Sequence, residues 1–178
     1  MLPLTIADTE LFDENRNRFI RIKGRTIQLE HSLLSISKWE SKWKRAFLTL
    51  REKTDEESLD YIRCMTTTPD VDPNLYYAIT PAQRIIIQAY INDPMSATRF
   101  RGENGKGGSA AGITSDKLYA QMALLGIPFS CEKWHLNRLI TLIHLCETMG
   151  SGKKMSRGES AKYMREMHAA RKAGRGRR

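Results

Sequence analysis

Charge is spread so unevenly along this chain that it separates a stretch able to bury a core from one that is not. From Gly150 to Arg178, ten Lys and Arg stand against two Asp and Glu, a balance of +8, whereas the whole 178-residue chain carries +9. Residues 1–149 are therefore close to neutral. A run of like charge repels itself and stays solvated. The core must then come from the first ~150 residues, a length that suits one medium domain. A hydrophobic content of 40% is enough to fill it.

The start of the chain reads as β. Phe19-Ile20-Arg21-Ile22, then Lys23-Gly24, then Arg25 to His31 has the form of a hairpin within 18–36, with Gly24 supplying the positive φ of a tight turn. Helical signals follow. Ser37 to Glu40 fits a capping box, and Trp39, Trp43 and Phe47 then recur every four residues as one apolar stripe. Thr54-Asp55-Glu56-Glu57 is a second box, with Leu59, Ile62 and Met65 on its buried side. Asp72-Pro73-Asn74 opens a single turn. Thr80-Pro81 starts another helix, with Ile85, Ile86, Ile87 and Ile91 as core candidates and an end near Asp93-Pro94.

Residues 101–113 include RGENGKGGSAAG and read as a flexible loop. A helical hairpin over 114–149 follows. Thr114 or Ser115 caps its first helix, Gly126 and Pro128 punctuate it, and the second helix starts at Ser130. Gly150-Ser151-Gly152 then joins a basic arm, 150–178. Ser156 to Glu159 caps a last helix there, and the terminal AGRGRR is expected to be disordered.

The familiar reactive constellations are missing. A phosphate loop needs Gly, four residues, then Gly-Lys-Ser/Thr. Around Gly152-Lys153 the first glycine position is Glu147 and the hydroxyl position is Lys154; around Gly105-Lys106 the hydroxyl position is Gly107. Cys131, His135, His144 and Cys146 carry the atom types for zinc. His144 and Cys146, however, point about 200° apart on a helix, and no CxxC pair is present. None of His31, His135, His144 and His168 sits beside a nucleophile in a recognisable catalytic setting. The sequence thus predicts no enzyme, no metal and no cofactor. Three widely spaced cysteines make no disulfide framework, which suggests a reducing compartment. The N-terminal residues lack the pattern of a secretory leader, and no apolar run reaches membrane-spanning length.

Three features suggest partners. Trp39 and Trp43 lie among Lys38, Lys42, Lys44 and Arg45, a pattern that serves either a core stripe or a stacking platform for single-stranded nucleic acid. The helix from Ser130 has polar residues at its start, as a DNA-reading helix does. Its apolar surface, from Leu136 through Leu139 and Ile143 to Leu145, is too wide and marks a core helix. The arm has few bulky apolar residues, so it suits an acidic protein or nucleic acid better than a membrane.

Several ordered blocks resemble one family. They are Leu29-Glu30-His31-Ser32-Leu33, the segment from Ser35 to Trp43, Asp60-Tyr61-Ile62-Arg63-Cys64-Met65-Thr66, Ile127-Pro128-Phe129 with Cys131, Lys133-Trp134-His135-Leu136-Asn137-Arg138-Leu139, and Lys153-Lys154-Met155-Ser156. Together they are similar to small proteins of long-tailed bacteriophages and prophages described as tail assembly chaperones or tail-region proteins. The likeness covers most of residues 26–172, with the glycine loop as its variable part. One departure is Gly150-Ser151-Gly152, where a proline-containing connector is expected.

The resemblance implies a non-enzymatic tail assembly protein that binds the tape-measure or another tail protein in the bacterial host cytoplasm. The alternatives are a nucleic-acid-binding phage protein that uses its basic arm, and a permanent virion component of the head–tail region. The expected fold is α+β and mostly α: an N-terminal β-hairpin on a four- to five-helix bundle within 1–149, followed by the basic arm. The candidate partner-binding residues are Trp39, Trp43, Trp134, Lys153, Lys154, Arg157, Lys162, Arg165, Arg171 and Lys172.

Overall fold

The computed structural model describes residues 1–13, 17–49, 51–98 and 112–150. It divides into one compact unit, Met1–Ile143, and a second, His144–Arg178. The glycine segment 101–111 and the arm residues Lys153, Lys154, Arg157, Lys162, Arg165, Arg171 and Lys172 lie outside the described residues. The fold is α+β and mostly α, with an N-terminal two-stranded ribbon followed by five α-helices among the described residues.

That ribbon corrects the expected hairpin. Strand β1 (Leu2–Ile6) pairs antiparallel with β4 (Arg25–Leu29), from Leu2↔Leu29 to Ile6↔Arg25. Strand β2 (Thr9–Asp13) pairs antiparallel with β3 (Arg18–Ile22), from Thr9↔Ile22 to Asp13↔Arg18. The register runs through both ladders without a slip. Residues 18–29 thus form one long interrupted strand, and residues 1–13 are its partner. Gly24 sits at the interruption, not in a hairpin turn. Its N–H donates to Asp8 Oδ1 at 2.7 Å, and a Cβ there would lie 2.5 Å from the backbone of Ala7 and Asp8. The glycine is required by close backbone approach. Leu4, Ile6, Ile22, Ile27 and Leu29 bury the inner face, while Phe12 and Phe19 remain exposed in contact with each other.

Helix α1 (Leu33–Trp43) begins a turn earlier than the Ser37 box suggested. Ser32 is the cap, its hydroxyl accepting from the Ser35 amide at 3.2 Å. Leu33 and Ile36 belong to the same buried stripe as Trp39, so burial favours helix upstream of Ser37. The helix closes at Lys44, whose φ is 54°. Phe47 therefore lies beyond the helix, although its ring still meets Trp39 edge-on at 5.2 Å.

Helix α2 (Asp55–Met65) carries the reciprocal Thr54–Glu57 box and buries Leu59, Ile62 and Met65. The chain then returns to the ribbon: Glu30 N–H donates to Met65 C=O and Thr67 N–H to Gln28 C=O, both at 2.8 Å. A 3₁₀ turn, Pro73–Ala78, leads to α3 (Pro81–Asn92), capped by Thr80 and Gln83. Helix α4 (Ser115–Leu124) is capped by Thr114, and Gly126 follows at φ +67°.

The second helix of the expected 114–149 hairpin starts later than Ser130. A 3₁₀ turn, Phe129–Lys133, comes first, and α5 runs Leu136–Gly150. The delay has a tertiary cause. Leu136 N–H donates to His31 C=O at 2.7 Å, and His135 bridges to Ser32, which pegs the chain before the helix can begin. Leu136, Leu139 and Ile143 then enter the core with Ile36, Met65 and Met122.

Candidate partner-binding surface

Three carboxylates organise the corner formed by α1, α2 and the segment between them. Glu40 accepts from the Phe47 amide at 2.8 Å and from the amide and hydroxyl of Ser115 at 2.8 and 2.6 Å. It thereby ties α1 to the start of α4. Glu57 is buried and accepts from the Thr54 amide at 2.9 Å, Arg45 at 3.2 Å and Arg51 at 3.3 Å. The Thr54 amide is the main cause holding its carboxyl below the usual range. Burial pushes the other way, and Arg51, Arg45 and Lys53 add to the depression. Asp60 accepts from Lys42 Nζ at 2.5 Å and from Trp43 Nε1 at 2.8 Å. Lys42, Arg45 and Arg51 are thus bound to inward-facing acids and serve as scaffold.

The tryptophans separate accordingly. Trp39 is 2% exposed and donates through Nε1 to Glu57 C=O at 2.9 Å, so it is core and not a partner surface. Trp43 stacks on it at 5.9 Å and is half-buried, its indole N–H committed to Asp60. Trp39 thus lacks the free ring face that a base-stacking platform requires, and Trp43 has one face taken by Trp39. Trp134 is 38% exposed, with the Arg138 guanidinium 4.6 Å from its ring centroid.

The polar centre of the molecule is a histidine pair. His31 Nδ1 shares a 2.5 Å hydrogen bond with the Tyr61 hydroxyl, and the two imidazoles meet edge-on at 5.1 Å. Burial pushes His31 down to about 3, with His135 as the second cause. His135 is also lowered, mainly by burial. Its Nε2 lies 3.0 Å from Tyr90 C=O, and its Nδ1 accepts from the Asn137 amide at 3.3 Å. The neutral Nε2–H tautomer satisfies both contacts. Tyr90 O–H donates to Glu30 at 2.8 Å. These bonds tie the segment after β4 to α2, α3 and the start of α5; Glu30, His31, Tyr61, Tyr90 and His135 are buried and Asn137 is half-buried. Among the described residues, no group of three or more His, Cys, Asp or Glu side chains is placed to hold a metal ion, and no helix is long and apolar enough to cross a membrane.

The open surface is at α3. Ile87 and Tyr90 face inward, whereas Ile85 and Ile86, both expected in the core, are 72% and 51% exposed. Ala82 and Ala89 are exposed too. The four make an i, i+3, i+4, i+7 stripe pointing at solvent. The helix thus has two apolar faces and uses one. It is held at both ends: Gln83 Nε2 donates to Thr5 C=O at 2.8 Å, and Asn137 Nδ2 to Ile91 C=O at 3.0 Å.

Between α3 and α2 runs a cleft of about 460 Å³, walled by Phe47, Tyr61 and Ile62 on one side and Ile85, Ile87 and Ile91 on the other. Lys53 stands at its edge with its ammonium 4.0 Å from the Phe47 ring centroid. Burial draws the Lys53 amine below its ordinary value; Glu57 opposes the shift and Arg51 adds to it. Across the mouth, Arg84 pairs with the exposed Asp55 at 3.5 Å.

The sequence signal for this surface was present. Four isoleucines within Ile85–Ile91 put apolar groups around more of the helix than one buried face can use. No protein-family model, curated protein or solved structure matches the chain.

Proposed function

We propose that this chain is a non-enzymatic tail assembly protein of a long-tailed phage, a chaperone that holds an apolar helical segment of the tape-measure or another tail protein until the tail tube forms around it. The reading grows from the resemblance of its sequence blocks. The observation that carries it is the unused apolar face of α3, with Ile85 and Ile86 exposed above a cleft already lined by aliphatic and aromatic groups. Helix-in-groove binding uses such a face, and a folded domain that leaves it open gains from covering it. Co-expression with the tape-measure protein of the same phage tests the reading. Client solubility should rise and the two should co-purify. Unchanged solubility with no co-purification overturns it.

The +8 balance of the arm favours a second reading, phosphate binding by residues 153–178. Affinity for DNA would then fall steeply as salt rises, because each neutralised phosphate releases counterions. Apolar client binding would survive moderate salt. A chaperone leaves the finished particle, so its detection as a stoichiometric component of purified virions would instead favour a structural role in the head–tail region.

A further inference from the structure

We infer that the cleft between α2 and α3 receives an amphipathic helix of a different protein, one that carries a carboxylate in line with its apolar stripe and seats it against Lys53. This rests on the reading above only in taking the partner to be a helix-bearing protein.

The walls select the stripe. Ile62 and Phe47 face Ile85 and Ile91 across the gap, and Ile85 forms the lip that joins the cleft to the exposed face of α3. A helix laid there covers both with side chains at i, i+3, i+4 and i+7. Lys53 selects the acid. Arg45 and Arg51 are paired with Glu57, and Arg84 with Asp55. Of the four cations that line the two depressions here, Arg45, Arg51, Lys53 and Arg84, only Lys53 has no carboxylate within 4.0 Å among the described residues. It is half-buried at the meeting of two depressions, where a contributed carboxylate is screened less than at an open surface. Its contact with the Phe47 ring holds the ammonium toward the apolar walls.

The chain's own segments fit poorly. The arm is basic, and Pro81–Asn92 contains no Asp or Glu, so neither the arm nor the α3 of a second copy complements Lys53. The occupant that fits is acidic and amphipathic.

The probes are three designed helical peptides of about 16 residues. Each carries Leu at i, i+3, i+4 and i+7, with Glu, Gln or Lys one turn beyond. Binding to the full chain is read by fluorescence anisotropy. The Glu peptide should bind roughly tenfold tighter than the Lys peptide. Lys53→Met should bring the two within about twofold, and Lys53→Arg should keep the preference. Ile85→Glu should abolish binding of all three while leaving the circular dichroism melt unchanged, since Ile85 is already exposed.

The inference is overturned by equal affinity for the Glu and Lys peptides, by no binding at all, or by a preference that persists in Lys53→Met. It is equally overturned by binding that survives Ile85→Glu, or by a dimer of the protein alone that Ile85→Glu dissolves, which would make a second copy the occupant. Failure here is distinct from failure of the tail-assembly reading. Co-purification with the tape-measure protein that ignores Ile85→Glu sinks this inference and leaves that reading standing. Peptide selectivity without any tape-measure binding does the reverse.

Discussion

Acidifying this protein from pH 7 to pH 5 should destabilise it through His31. A histidine in the unfolded chain titrates near 6.5, whereas burial and the neighbouring His135 push His31 down to about 3 in the folded state. Below pH ~6.5 the unfolded chain therefore binds a proton that the folded chain refuses. The His31 contribution is fully present above that pH and is lost as the pH falls toward 3. The full shift corresponds to about 5 kcal/mol, of which about 2 kcal/mol is lost between pH 7 and pH 5. That is a large fraction of the stability of an ordinary domain. His135 is lowered as well and steepens the slope in the same direction. The other titratable groups around the pair are Glu30, Tyr61, Tyr90, Asp93 and the amino group of Met1.

Urea unfolding at several pH values between 7 and 5 measures the slope. His31→Gln separates His31 from every other titrating group. The variant is less stable at pH 7, because it loses the Tyr61 hydrogen bond and leaves packing defects, but its stability should fall less on acidification, by about 2 kcal/mol between pH 7 and pH 5. Equal slopes in the two proteins, or a folded-state NMR titration of His31 with its midpoint near 6.5, would refute the reasoning.

Gly24→Ala should destabilise the ribbon by about 1–3 kcal/mol, because the new Cβ meets backbone that has no rotamer to move; a urea midpoint equal to that of the unchanged protein would contradict the close-approach geometry. Leu139→Ala should cost about 2–5 kcal/mol, since Leu139 is fully buried where α5 enters the core; a loss under about 1 kcal/mol in the same assay would mean that the site collapses freely or is wetter than it looks.

Helix starts governed by a hydroxyl and its third amide were readable from sequence. Thr54, Thr80 and Thr114 each cap the helix expected of them, because that bond is made within four residues of chain. The Ser37 box was a false start. Ser32 competes for the same helix, and the buried Leu33 and Ile36 favour the longer one. Gly24 could be read as important but not for its reason, since turn and close approach both ask for glycine. Its neighbours Ala7 and Asp8 lie some sixteen residues away in sequence. The partner strand itself, Leu2–Ile6, carries Pro3 and is too short to announce its pairing by alternation alone.

The candidate surface shows the same division. Trp39 and Trp43 were conspicuous as residues, yet indole N–H groups bound to Glu57 and Asp60 turn them inward. Ile85 and Ile86 looked like core and proved to be surface.

Local chemistry written in the sequence therefore determined where the helices capped by Thr54, Thr80 and Thr114 begin, and that residues 150–178 hold nearly all the net charge. Those are matters of neighbours a few residues apart and of composition. Tertiary structure decided which strand pairs with Arg18–Leu29, how far α5 is delayed by its bond to His31, and that burial lowers both core histidines below their ordinary value. It also decided which of two apolar faces of α3 is covered. The physical reason is common to all four. Burial and hydrogen-bond partnership depend on which distant segment packs on a given face, and a helix or strand pattern records only that a face is apolar, not whether anything covers it.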